Sequence, residues 1–127
     1  MNSCKTAAKD SGLNENDLNN LLNIAKIAAM KGGESLMNNY GKIKTISCKG
    51  ASGDLVTNAD IECEKLIIEY LDKNTPFISI LAEESGDKSK DSELKWCVDP
   101  LDGTTNYAHG YPFFATSIGL IWNSRPI

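Results

Sequence analysis

Four acidic side chains stand at the ends of apolar runs: Glu83 and Glu84 follow "ISILA", and Asp99 and Asp102 follow "WCV". Loops at strand ends are where sheet proteins place their chemistry. If these runs are neighbouring strands, the carboxylates converge. They then repel and raise one another's pKa unless a cation neutralises them. A divalent metal resolves that conflict, and oxygen ligands alone point to a hard ion, Mg²⁺, Mn²⁺ or Ca²⁺, rather than to zinc. A calcium-binding EF-hand is excluded, because the twelfth residue counted from Asp99 is Gly110, where that loop needs a glutamate. Mg²⁺ keeps several waters and uses few carboxylates plus substrate phosphate, which suits this sparse set.

Directly after Asp102 comes Gly103-Thr104-Thr105, a turn of small residues whose backbone N–H groups suit a phosphate, particularly where a helix begins. An acidic protein binds an anionic substrate only if something positive bridges the two, and a metal beside the cradle does so while activating water.

The elements that hold these groups follow from hydrophobic spacing. Leu18, Leu21, Leu22, Ala25, Ala29, Leu36 and Tyr40 recur at helical period, with Asn16 as cap and Gly41 as stop. Gly32 and Gly33 fall on that face, where they let another element approach or mark a kink. "IKTISCKG" reads as a strand entering a loop, and "ASGDLVTNAD" leads into a second helix with Cys63, Leu66, Ile67, Tyr70 and Leu71 on its buried face. "TPFISILAEES", "LKWCVDP" and "FFATSIGLIW" read as three strands, with "SGDKSKDSE" a solvated charged loop between the first two. The fold class is mixed α/β. Residues 1 to about 15 read as a flexible polar leader, and 16–127 as the body of the domain. The turn Asn123-Ser124-Arg125-Pro126 is followed only by Ile127, so the expectation is the front portion of a longer domain.

Composition excludes several partners. A net charge of −4 and a pI near 4.9 supply no basic field for nucleic acid or an anionic membrane surface, and no apolar run approaches membrane-spanning length. Cys4, Cys48, Cys63 and Cys97 form no CxxC pair and read as free thiols of a reducing, cytoplasmic compartment.

"WCVDPLDGTTNYAHGYPF", with "LAEES" and "GDLVTNAD" upstream of it, closely resembles the inositol monophosphatase family, magnesium-dependent and lithium-sensitive sugar-phosphate phosphatases. The three ordered motifs together are far more specific than DPxDG alone, which fructose-bisphosphatase-like and nucleotide-bisphosphate phosphatases share. The resemblance implies the layered αβαβα sugar-phosphatase fold, here its N-terminal half, and two or three Mg²⁺ ions. Carried over residue by residue, it makes Glu83, Asp99 and the Leu101 carbonyl ligands of the first ion and gives Asp99 and Asp102 to a second. It places Gly103 and Thr104 on the phosphate through their amides, with Thr105 and Asp102 in the same loop. It has the Thr104 hydroxyl and Asp60 orient the attacking water, and it matches Lys49 to a basic residue in a mobile loop. Asp54 belongs to the same block without a clear role. A further metal-ligating aspartate of the family lies in a downstream "WDxAA"-like motif that this sequence lacks.

The implied activity is hydrolysis of myo-inositol 1-phosphate or a similar polyol phosphate, by a homodimer when full length. The 127 residues alone are expected to be inactive. The alternatives are a non-catalytic metal-binding fragment and a related nucleotide or fructose bisphosphate phosphatase. Plainer readings stand beside some of these assignments. Asp60, three residues after Thr57, is also the acidic partner expected in a helix cap, though the threonine of "DGTT" tips it towards function. Lys49 alone is an ordinary surface lysine, Glu84 a supporting or solvated acid, His109 a structural turn residue, and Cys97 a buried small hydrophobe.

Overall fold

In the computed structural model, residues 2–42, 46–49 and 54–127 are described, with backbone alone at 2–5, 46–49 and 54–56. The chain runs α1 (Asn2–Asp10), α2 (Glu15–Asn39), β1 (Ile46–Lys49), β2 (Asp54–Thr57), α3 (Asn58–Asn74), β3 (Ser79–Ala82), β4 (Gly86–Lys88), β5 (Leu94–Asp102), α4 (Thr104–Ala108), β6 (Ala115–Trp122) and β7 (Arg125–Pro126). It is a mixed α/β fold.

The expected leader contains α1. A nine-residue helix is marginal in water on its own. Tertiary contacts support this one: it packs beside β7, Ala7 is fully buried, and Asp10 pairs with Arg125 at 3.1 Å. Sequence period alone carries no trace of such contacts.

α2 starts earlier than expected. Asn14, not Asn16, is the cap, because its side chain accepts from the Asp17 N–H at 2.8 Å while the Asp17 carboxylate accepts from the Asn14 N–H at 3.1 Å. That reciprocal pair satisfies two otherwise orphaned donors. Of the two glycines, Gly32 is the close approach: a Cβ there would stand 2.8 Å from Ile67 Cδ1 and 2.9 Å from Cys63 Sγ. Gly33 faces open space. A bare backbone at Gly32 thus lets α2 lie against α3.

α3 opens with a second capping box, Thr57 with Asp60. Its buried stripe is Ala59, Asp60, Cys63, Glu64, Ile67, Ile68 and Leu71, while Leu66, expected inside, is 37% exposed. The stripe is rotated from the expected one because it takes in two carboxylates that hydropathy assigns to solvent. β2, which the sequence reading passed over, pairs antiparallel with β1, Ile46 opposite Thr57 and Lys49 opposite Asp54. Residues 43–45 and 50–53, the rest of the expected strand and loop, lie outside the described residues.

The larger sheet has the order β4-β3-β5-β6-β7, parallel between β3 and β5 and antiparallel elsewhere. β4 lies inside the segment read as a charged loop. It is an edge strand, with Asp87 and Lys88 exposed, and charge on an edge strand discourages further pairing. Asn123 and Ser124 both adopt positive φ, as a two-residue hairpin turn requires, and Arg125 and Pro126 pair back onto Trp122 and Ile121.

Alternation along the strands sends Ile80, Ala82, Trp96 and Val98 to one face, packed with residues of α2 and α3 into the core. Trp96 keeps its indole N–H satisfied on Thr75 Oγ1 at 3.0 Å. Among the described residues, no helix is long and apolar enough to cross a membrane.

Candidate active site

The site follows from the parallel register of β3 and β5. Ala82 lies opposite Val98, and the ladder continues one step, with the Glu83 N–H donating to the Val98 carbonyl at 3.1 Å. Glu83 and Asp99 are therefore the next neighbours on adjacent strands, on the face opposite the core residues Ala82 and Val98. With Leu81, Cys97 and Ser117 they line a cleft of about 530 Å³. Burial, then hydrogen bonding to Glu83, then the charges of Glu83 and Asp102 push the Asp99 carboxyl up to about 7. Asp99 Oδ1 is buried and has no hydrogen-bond partner among the described residues.

Beyond Asp99 the strand bulges. Asp99 pairs with Ser117 and Asp102 with Ala115, so Pro100 and Leu101 face the single residue Thr116. Pro100 has no N–H to give to the ladder, and its carbonyl accepts from Thr116 Oγ1 at 2.9 Å and from Cys63 Sγ at 3.4 Å. The extra residue re-aims the end of the strand. Asp102 is exposed, and its charge is felt at Asp99. Of the expected trio, Glu83 and Asp99 are paired. Among the described residues no three acidic, cysteine or histidine side chains close into a metal cage.

Gly103 turns the chain with φ +89°, a conformation suited to glycine, and a Cβ there would meet the Phe113 carbonyl at 2.9 Å. α4 starts at the next residue, and Gly103 offers its first amides no side-chain cap. The Thr104 hydroxyl lies 2.9 Å from Asp60 Oδ1 and 3.1 Å from the Leu101 carbonyl, donating towards both. Thr105 is exposed, and its carbonyl takes the His109 N–H at 3.1 Å and stands 2.8 Å from the His109 ring. His109 thus closes α4.

Asp60 is wholly buried and uses both oxygens. Oδ2 accepts from the Thr57 N–H at 3.0 Å and from the Thr57 hydroxyl at 2.5 Å, while Oδ1 takes Thr104. The helix-cap reading of Asp60 is therefore correct, and the same carboxylate also holds Thr104 at the start of α4. Lys49 ends β1 opposite Asp54, and the described part of each is backbone. Cys97 is half-buried in the cleft with Glu83 and Asp99 and is not a core hydrophobe, because its neighbours Trp96 and Val98 take the core face.

Two supports escaped the sequence reading. Tyr107 is fully buried, donates its hydroxyl to the Leu36 carbonyl at 2.7 Å and meets Phe114 edge-on at 4.9 Å, which fixes α4 on α2. Glu64 is buried and accepts the Glu84 N–H at 2.7 Å. Its signal was present: it stands one helical turn after Asp60, on the same face.

A model of the inositol monophosphatase family matches residues 17–127. An inositol-1-monophosphatase of Synechocystis is 42% identical over 122 residues, 95% of this chain and 42% of that protein. A fructose-1,6-bisphosphatase/inositol-1-monophosphatase of Aquifex aeolicus is 42% identical over 113 residues, covering 87% of this chain and 42% of its own length. The extragenic suppressor protein suhB of Bartonella henselae superposes with a TM-score of 0.80 at 43% identity, over 84% of this chain and 42% of the other. The chain thus spans about two fifths of the length of these relatives.

Proposed function

Since the chain belongs to the inositol monophosphatase family, we propose that it carries the metal- and phosphate-binding part of a Mg²⁺-dependent phosphomonoesterase acting on inositol monophosphate or a similar polyol phosphate. The observation that carries this reading is Asp99: a buried carboxylate oxygen without a donor, beside Glu83, in a group whose pKa is raised to about 7. Two carboxyls so placed repel when ionised, and a hard cation relieves that repulsion while filling the open lone pairs. The donors fit such an ion: Glu83, Asp99, the Leu101 carbonyl and Asp102 are all oxygen ligands. Two or three ions are proposed, as in the resemblance. Mg²⁺ held there supplies positive charge to phosphoryl oxygens and makes water more acidic.

The remaining work falls to the chain's own residues. The amides of Gly103 and Thr104 belong to the start of α4, which has no side-chain cap and where an anion is favoured. Asp60, by accepting the Thr104 proton, turns the hydroxyl's lone pairs outward to hold and orient a water. Thr105 and Asp102 border the same loop, and Lys49 is proposed as a cation approaching from β1. Lithium inhibition, a cytoplasmic location and a homodimer belong to the same proposal.

The name of the Aquifex relative favours a second substrate, fructose 1,6-bisphosphate. The test is phosphate release by the full-length protein from inositol 1-phosphate, fructose 1,6-bisphosphate and a nucleoside bisphosphate, with and without Mg²⁺. Mg²⁺-dependent preference for inositol 1-phosphate is expected. Preference for either bisphosphate moves the substrate, and equal rates in EDTA sink the metal reading. A polypeptide of residues 1–127 alone is expected to turn over little substrate, because the sheet face bearing Glu83 and Asp99 lies open as a cleft. Metal binding without turnover in the full-length protein would favour the non-catalytic reading.

A further inference from the structure

One turn of α3 reaches three separate points of the site. Asp60 Oδ1 takes the hydroxyl of Thr104 at 2.9 Å, Cys63 Sγ donates to the Pro100 carbonyl at 3.4 Å, and Glu64 Oε1 takes the Glu84 N–H at 2.7 Å. All three side chains are buried, Asp60 and Cys63 completely and Glu64 with 4% of its surface exposed. A carboxylate is costly to bury unless its oxygens are used, so the burial of Glu64 calls for a function. We infer that Glu64 is a positioning residue, anchoring the backbone just after β3 so that Glu83 is held against Asp99.

The anchor falls where the pairing of the sheet runs out. β3 ends at Ala82, and its ladder to β5 gives out with the Glu83 N–H on Val98. Glu84 lies beyond that last rung and before β4 begins at Gly86. Its N–H is directed at α3, and a hydrogen bond to a charged acceptor is stronger than a neutral one. Asp60 does the corresponding work on the other strand, holding the loop that follows β5. The spacing of residues 60 and 64 along α3 therefore ties the loop after β3 to the loop after β5 and reinforces the parallel ladder that makes Glu83 and Asp99 neighbours. Partners that orient metal ligands in this way typically change metal affinity or activity by about 10- to 100-fold when removed. This inference rests on the proposed metal site.

The test compares Glu64→Met, which keeps the length without an acceptor, with Glu64→Gln, whose amide oxygen still accepts from Glu84. Both are made in the full-length protein. Two readouts are taken: Mg²⁺ affinity by calorimetry, and amide hydrogen exchange across residues 83–85 without metal. E64M is expected to lose exchange protection and about tenfold in Mg²⁺ affinity, with E64Q near the parent in both. Should E64M fail to fold, Glu64→Asp, which draws the oxygen back by one methylene, takes its place with the same expectation. Unchanged affinity in a folded E64M, or equal loss in E64Q and E64M, overturns the inference. If the parent binds no Mg²⁺ at all, the metal reading fails and the positioning role with it. Exchange protection lost in E64M would then show that the anchor itself is real.

Discussion

The carboxylate of Asp60 and the hydroxyl of Thr104 are 44 residues apart in the chain and 2.9 Å apart in space. The contact joins the first turn of α3 to the first turn of α4, across the end of the strand that carries Asp99 and Asp102. One carboxylate caps its own helix with one oxygen and holds the start of another with the second.

Thr104→Ala removes the hydroxyl that Asp60 directs and leaves Glu83 and Asp99 untouched. In the full-length protein kcat should fall by about 10²-fold or more, the scale of a lost proton-handling group, with Mg²⁺ affinity little changed. Asp99→Asn should instead lose both Mg²⁺ affinity and turnover, because an amide NH₂ would face the cation. Calorimetric titration beside steady-state kinetics separates the two, and equal loss of Mg²⁺ affinity would contradict the assigned roles.

Metal-free protein should lose stability as the pH rises. The folded Asp99 carboxyl, at about 7, stands above its ordinary value of 3.8, so the folded state binds the extra proton between these limits. The stability this group contributes is complete below about 4 and lost as the pH passes through 7. Mg²⁺ should reverse the trend, binding better as the proton leaves. Thermal unfolding at pH 5 and 7.5, in EDTA and in Mg²⁺, gives the four values needed. A metal-free Tm at 7.5 equal to or above that at 5, after correction with Asp99→Asn, would contradict the assignment.

Gly103→Ala should destabilise the fold by about 1–2 kcal/mol from the left-handed backbone alone, with a further cost from the contact at the Phe113 carbonyl. Denaturant unfolding measures the loss. A change below about 0.5 kcal/mol, the range of an uneventful surface substitution, would mean that the turn relaxes freely.

Burial pushes the Cys63 thiol up to about 12 from an ordinary 9. The neutral thiol is therefore preferred in the folded state, and its stabilisation, complete below pH 9, should disappear as the pH climbs towards 12. Near pH 8, native protein should be alkylated slowly at half-buried Cys97, whose thiol burial also pushes up, and more slowly still at Cys63. Mass spectrometry after iodoacetamide treatment reads both sites, and rapid native labelling of Cys63 would show that α2 and α3 open locally.

By itself the sequence determined which apolar runs form the strands of the site and which acidic residues follow them. "ISILA" and "WCV" are continuous apolar runs, so Glu83 follows the last residue of β3 and Asp99 follows the apolar part of β5, and glycine before two threonines marks a turn into a helix. These are local properties, carried by side chains within a few residues of one another. Only the tertiary structure decided the rest. Pairing with β1 and β3 made strands of segments too short and polar to announce themselves, β2 and β4. Packing beside β7 accompanies a helix in a stretch with no period, and a reciprocal hydrogen bond moved the cap of α2 to Asn14. The bulge at Pro100 and Leu101, set opposite the single residue Thr116, shifts the register between Asp99 and Asp102, which spacing along the strand cannot reveal. Asp60 and Glu64 carry the same lesson: hydropathy sends a carboxylate to water, and only a donor arriving from a distant loop makes its burial tolerable.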